Sequence, residues 1–262
     1  MTTIGIIGGT GVLGSAIATA WLETRTVTPD RLWVANRSGS LGRLSRWPEI
    51  VTTTDFDALA ARSDVVLLAL PPDQTRDLRF AAGNRLVISV MAGVTLDRLA
   101  AMTGSARIVR AMSNPAAALQ LAYSPWLPLH PLTEEETATV TRLFSAIGAT
   151  DRVATEDQID RFTALTGPVP GFVAAFAEAV AAHAVRRGIP AEIARRATRQ
   201  LFLSAGTMMS LDSDRTPADF VQEMIDYAGT TAAGLTVLRD GPLAGAVEAA
   251  LDASYARSKT IG

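Results

Sequence analysis

The sequence predicts an α/β chain in two parts, a mainly parallel sheet domain over 1–154 and an all-helical domain over 155–262. Three observations predict it. The first half alternates short β-rich runs with helical stretches, the pattern of βαβ units. Two of those runs, Val65–Leu70 and Leu86–Val90, are almost continuously apolar, as strands covered on both faces are. From about Thr155 the β-like runs stop and long helical patterns take over. A length of 262 residues suits two domains.

In chain order, the β-branched run Thr3–Ile7 is expected as the first strand, and the alanine-rich Ser15–Glu23 as the helix after it. Arg31–Ala35, Asp64–Ala69, Leu86–Val90 and Arg107–Arg110 follow as strands. Leu41–Arg46, Asp73–Ala82 and Leu96–Met102 read as the helical stretches between them. Leu127–Leu132, a helix over Glu134–Ile147 and Ala149–Val153 finish the sheet domain. The second half reads as helices over Asp160–Leu165, Phe172–Arg187, Pro190–Ser210, Pro217–Tyr227, Thr230–Asp240 and Leu243–Ser258. Phe172–Arg187 is apolar nearly all round, which suits burial between other helices or between subunits. Met208 and Met209 are expected to fill core gaps.

Composition narrows the chemistry. Apolar residues make up 48% and charged residues 19%, enough to bury a large core. The formal net charge is −2 and the basic residues are scattered, so no footprint for nucleic acid is expected. Phe172–Val185 is interrupted by Glu178 and His183 and falls short of the ~20 residues a membrane span needs. The opening lacks a basic stretch followed by an apolar one, so no secretory signal is read and a cytoplasmic protein is expected. Cysteine is absent, only His130 and His183 are present, and the sole lysine is Lys259. Thiolate chemistry, a metal site and a Schiff base therefore find no support, and a bound cofactor is the expected source of reactivity.

Gly9-Thr10-Gly11-Val12-Leu13-Gly14 stands in G-x-G-x-x-G register between the first strand and the first helix. Glycines here allow a tight turn, a close approach of the backbone to a pyrophosphate, and close strand–helix packing. A Rossmann-like dinucleotide site is expected. At the end of the second strand, where an acid would hold the ribose 2′-OH of NAD, stand Asn36, Arg37 and Ser38. A guanidinium beside a hydroxyl suits a 2′-phosphate instead, so NADPH is the expected cofactor. Leu70 and Pro71, Ala92 and Asn114 follow the next three strands at the carboxyl edge, where ligands of such sheets lie.

Taken in order, the glycine motif, Asp64–Pro72, Ser89-Val-Met-Ala-Gly93, Arg110–Asn114, Asp160–Phe172, Glu178-Ala179 and Gly229-Thr-Thr-Ala-Ala-Gly-Leu235 resemble pyrroline-5-carboxylate reductase. The resemblance implies a Rossmann domain followed by a helical dimerisation domain, a homodimer, and NADPH-dependent reduction of a C=N bond in proline biosynthesis. It implies that Thr166, Gly167, Gly229 and Thr230 contact a small imine, with Thr231 near its nitrogen. The chain departs from the family pattern at Pro71, where the family has lysine, at Ser113, where it has proline, and in Thr166–Phe172. The largest departure is Asp226-Tyr227-Ala228-Gly229 in place of Ser-Pro-Gly-Gly. A carboxylate at Asp226 would repel a substrate carboxylate and favour a protonated imine, and Tyr227 is the expected proton donor.

Three other readings fit parts of the sequence. The glycine motif with a following Arg-Ser also occurs in deazaflavin-dependent NADP reductases. Tyr255-Ala-Arg-Ser-Lys259 has the Tyr-x-x-x-Lys spacing of short-chain dehydrogenases, but at a place in the chain that does not suit them. A non-catalytic NADP-binding sensor would keep the fold and lose the turnover.

Overall fold

The computed structural model describes residues 2–76 and 78–261. Their packing falls into two units. The first runs up to Val169 and takes in the residues from Asp252 onward, and the second is Pro170–Leu251.

The first unit is built on a seven-stranded sheet in the order β3-β2-β1-β4-β5-β6-β8. Its strands are β1 (Ile4–Ile7), β2 (Leu32–Ala35), β3 (Val51–Thr53), β4 (Val65–Leu68), β5 (Leu86–Ser89), β6 (Ile108–Ala111) and β8 (Trp126–Pro128). The first six run parallel, and β8 closes the edge antiparallel to β6. The order reverses beside β1, which opens a crevice between the ends of β1 and β4. A second, two-stranded sheet pairs β7 (Ala122–Tyr123) with β9 (Gly148–Ala149).

Alternating side chains of each strand serve two cores. Ile4, Ile6, Val65, Leu67, Leu86 and Ile88 point to the face covered by α1 (Val12–Glu23) and α4 (Glu134–Ser145). Ile7, Val66, Leu68, Val87 and Ile108 point to the other face, under α2 (Phe56–Arg62) and α3 (Leu96–Thr103). Trp21 of α1 is buried, and its indole N–H donates to the Leu143 carbonyl at 2.7 Å, tying α1 to α4. Gly5 has no side chain where the Leu59 methyl of α2 packs, since a Cβ there would lie 2.3 Å from it.

Two stretches depart from expectation. Val51–Thr53 and Phe56–Arg62 form a strand and a helix that the pattern alone does not announce. Asp73–Ala82, expected as a helix, holds only a 3-10 turn at Pro72–Gln74, and Asp77 within it lies outside the described residues. Beyond the turn, Leu78, Phe80 and Ala82 are buried while Arg79 and Ala81 are exposed, an alternation of two that belongs to extended chain. Phe80 and Ala82 donate their N–H groups to the Met102 and Thr103 carbonyls of α3, so this backbone is satisfied without a helix of its own.

α5 (Glu156–Leu165) belongs to the first unit by its packing, although the expected boundary falls just before it. Thr155 caps it with a reciprocal Gln158 contact. The second unit holds α6 (Gly171–Arg186), α7 (Ala191–Leu211), α8 (Pro217–Asp226) and α9 (Thr230–Asp240), and α10 (Leu243–Ser258) begins in it and ends in the first. Among the described residues α6, α8 and α9 bury none within the single chain. Met208 and Met209, expected in a core, are 62% and 45% exposed, because the described residues cover this end of α7 only in part.

Candidate active site

β1 ends in a turn whose shape depends on glycine. Gly8 adopts φ +86, and a Cβ there would meet the Ala69 carbonyl oxygen at 2.7 Å. Gly11 occupies the N-cap of α1 and offers no side chain, so the first amides of the helix point outward without a protein cap. A Cβ on Gly14 would lie 2.4 Å from the Gly8 carbonyl oxygen and 2.9 Å from Gly9 Cα, so only glycine lets α1 start this close to β1. Outward N–H groups at a helix start make a cradle for a phosphate.

This turn opens into a cavity of about 670 Å³ lined by Gly8, Thr10, Gly11, Ala35, Asn36, Arg37, Ser38, Phe56, Ala69, Leu70, Pro71, Gln74 and Leu78. Seven residues expected at a cofactor are thereby brought together: Thr10, Gly11, Asn36, Arg37, Ser38, Leu70 and Pro71. Gly9 and Gly14 stand behind the lining, where their lack of a side chain sets the turn, and Val12 and Leu13 enter α1. Ala92 follows β5 and does not line the cavity. Phe56, Gln74 and Leu78 were not foreseen. They arrive through the unforeseen α2 and the non-helical stretch after Pro72.

At the far side of the cavity Asn36 folds the loop on itself. Its Oδ1 accepts from the Ser38 N–H at 3.0 Å and the Ser38 hydroxyl at 2.9 Å, and its Nδ2 donates to the Ser40 carbonyl at 2.7 Å. Arg37 is exposed and forms no hydrogen bond or ion pair with the described residues, which leaves its guanidinium free for a ligand. The residues present fit a phosphorylated dinucleotide: a capless helix start, a turn that admits no side chain, and an unpaired arginine share one cavity.

Asn114, expected at the cofactor, has both ends of its side chain engaged within the protein. Nδ2 donates to the Thr166 carbonyl at 3.0 Å, and Oδ1 accepts from the Ala116 N–H at 3.0 Å. It therefore joins the exit of β6 to the end of α5. Gly167 follows there, and a Cβ would meet the Thr163 carbonyl oxygen at 2.3 Å.

In the second unit, Asp226 ends α8 and its carboxylate accepts from Gln222 Nε2 at 2.7 Å, one turn back on the same helix. Tyr227 is 83% exposed. Ala228 adopts φ 55, a left-handed conformation that costs a side-chain-bearing residue about 1–2 kcal/mol. Gly229 then opens α9 without a side-chain cap, and Thr230 and Thr231 occupy its first two positions. The Thr230 and Thr231 amides thus have no partner among the described residues, whereas the Ala232 N–H donates to the Gly229 carbonyl at 3.1 Å.

Tyr255 and Lys259 do not line the cavity. The Tyr255 hydroxyl and Lys259 Nζ, the latter at 2.9 Å, both donate to Asp157 Oδ1 on α5, while Arg161 Nε donates to Oδ2 at 2.8 Å. Led by the tyrosine hydroxyl, these three donors hold the Asp157 carboxyl well below the usual carboxylate range. A carboxyl with a depressed folded pKa stabilises the fold above its unfolded value of about 3.9, and that contribution disappears as the pH falls through the folded value. Asp157→Asn is therefore expected to lower Tm at pH 7 and to flatten its decline below about pH 4, as read by thermal melts across pH. Identical acid dependence in the variant would refute the assignment.

Two family models match the chain. One described as pyrroline-5-carboxylate reductase dimerisation covers residues 156–261, and one described as NADP oxidoreductase, coenzyme F420-dependent, covers 3–93. The pyrroline-5-carboxylate reductase of Synechocystis sp. is 31% identical over 99% of this chain and 98% of its own, and that of Methanosarcina acetivorans is 30% identical over 99% and 97%. Among solved structures, a pyrroline-5-carboxylate reductase from Coxiella burnetii superposes with a TM-score of 0.86 at 29% identity, over 100% of this chain and 98% of the other. The coenzyme F420-dependent description stops at residue 93, whereas these relatives run through both units.

Proposed function

The chain belongs to the pyrroline-5-carboxylate reductase family, and from that premise we propose that it reduces the C=N bond of a small cyclic imine with NADPH. The observation that carries this reading is the single cavity in which the glycine turn of β1 and the unpaired Arg37 lie together. When bound there, NADPH supplies the hydride. The Gly11 N–H donates to the Gly8 carbonyl at 3.0 Å and shapes the turn, so the amides of the first turn of α1 would hold the pyrophosphate, and Arg37 with the Ser38 hydroxyl would hold the 2′-phosphate.

In the first unit, Thr166 and Gly167 at the end of α5 are the proposed imine contacts. Gly229, Thr230 and Thr231 offer it the free amides of α9, with the Thr231 hydroxyl donating to or accepting from the ring nitrogen. An imine accepts hydride far better once its nitrogen is protonated, and the Asp226 carboxylate stabilises that charge. Tyr227 is the proton donor of this scheme. Because Asp226 stands where the family carries a neutral serine, its charge opposes a carboxylate on the substrate. The pocket then favours imines without one.

A homodimer in the cytoplasm completes the proposal. Its support is the apolar surface of α6 and α7, where Phe172, Phe176, Met208 and Met209 stay 41–62% exposed among the described residues. Among the described residues no helix is long and apolar enough to cross a membrane.

The test follows NADPH absorbance while pyrroline-5-carboxylate, pyrroline-2-carboxylate and cyclic imines without a carboxyl group are offered in turn. Faster turnover of the uncharged imines is expected, and Asp226→Ser is expected to restore use of pyrroline-5-carboxylate by about tenfold, the scale of one unfavourable close charge pair in a partly screened site. Tight NADPH binding with no oxidation by any imine would replace this reading with that of a sensor.

A further inference from the structure

Arg110 is the one charged residue among the largest fully buried side chains, 2% exposed in β6. Its Nη1 donates to Glu156 Oε1 at 2.8 Å and its Nη2 to Asp160 Oδ1 at 2.5 Å, two carboxylates one turn apart on α5. Glu156 Oε1 also accepts from the Leu96 N–H at 2.7 Å, the first amide of α3. Four residues after Arg110, Asn114 donates to the carbonyl of Thr166, the C-cap of α5. β6 and its exit thus grip α5 at both ends.

As a device for stability the cluster is poor. Burying the guanidinium and most of Asp160, with Glu156 a third exposed, costs about as much as the attraction returns, and apolar side chains of similar volume would serve as well. Arg110 Nε is also the one buried side-chain nitrogen or oxygen, among the described residues, that lacks a partner, which adds to the cost. What a planar guanidinium with two carboxylates supplies, and apolar packing does not, is direction: it fixes the angle and the register of one element on another. The element so fixed ends at Thr166 and Gly167.

We infer that Arg110 is a positioning residue of the imine site. Through Glu156 and Asp160 it sets α5, and with it Thr166 and Gly167. Through the Leu96 amide it sets the start of α3 and the loop that enters it from β5. It acts through these segments and not on the imine itself. The kinetic half of this inference rests on the proposed reductase reading, and the structural half does not.

Arg110→Lys keeps the charge but replaces the fork with a single ammonium, and Asp160→Asn keeps shape and an acceptor while removing one charge. In both, the imine KM is expected to rise about tenfold with kcat and the NADPH dissociation constant within about threefold of wild type. Hydrogen exchange at the amides of 163–167 is expected to accelerate about tenfold or more, while β1 and β4 keep their protection. If Arg110→Lys does not fold, Asp160→Asn decides. Unchanged exchange at 163–167 in a folded variant overturns the inference, as does an NADPH dissociation constant that rises in step with KM. If the wild-type protein turns over no imine, the reductase reading fails, and the exchange measurement still decides whether Arg110 positions α5.

Discussion

Gly14→Ala is expected to weaken NADPH binding by about 5- to 150-fold and to lower the stability of the first unit. The added methyl group meets two backbone atoms of the turn, the Gly8 oxygen at 2.4 Å and Gly9 Cα at 2.9 Å, and neither can swing aside as a side chain would. Forcing a group into a filled space costs about 1–3 kcal/mol, and 1.4 kcal/mol is tenfold in a binding constant. Gly11→Ala is the contrast. Its methyl would approach the Gly8 oxygen at 3.3 Å and the Ala69 oxygen at 4.0 Å, beside the cavity that Gly11 lines. It should therefore reduce NADPH affinity with little change in Tm. Calorimetric titration and thermal melts on both variants separate the two effects, and wild-type affinity in Gly14→Ala would show that the turn does not hold the pyrophosphate.

The second large effect concerns cofactor choice. Arg37→Ala is expected to raise the NADPH dissociation constant by about 10- to 150-fold and to leave that of NADH unchanged, because a charge-assisted hydrogen bond contributes about 1.5–3 kcal/mol. The wild-type preference should also shrink as salt is added, since Arg37 is exposed and its attraction for a phosphate is screened. Equal weakening of both cofactors would move Arg37 from the 2′-phosphate to the shared pyrophosphate.

Much of the scaffold is legible from local patterns because local physics dominates there. The glycine register before α1 and the apolar runs of β4 and β5 each act within a few residues. β3 is three half-buried residues and α2 only seven, too short for a period to emerge. The expected helix over 73–82 gives way to extended chain, because Leu78, Phe80 and Ala82 are buried in alternation and the stretch bonds to α3. The tie between Arg110 and α5 spans 46 and 50 residues, beyond any local signal, and Glu156 lies before the expected start of that helix at Asp160. Exposure of Met208 and Met209 depends on what covers α7, and no pattern within one chain distinguishes a face packed at home from one packed abroad.

The return of α10 to α5 carries a consequence for biosynthesis. The sheet unit is assembled from two stretches, one before Pro170 and one after Leu251, with the whole second unit emerging between them. On the ribosome β1 to β9 can pair early, yet Asp157 waits for Tyr255 and Lys259 until the intervening helices have been translated and released. A nascent chain arrested within α9 therefore holds α5 through Arg110, the Leu96 amide and Asn114, with the Asp157 carboxylate still waiting for two of its three donors.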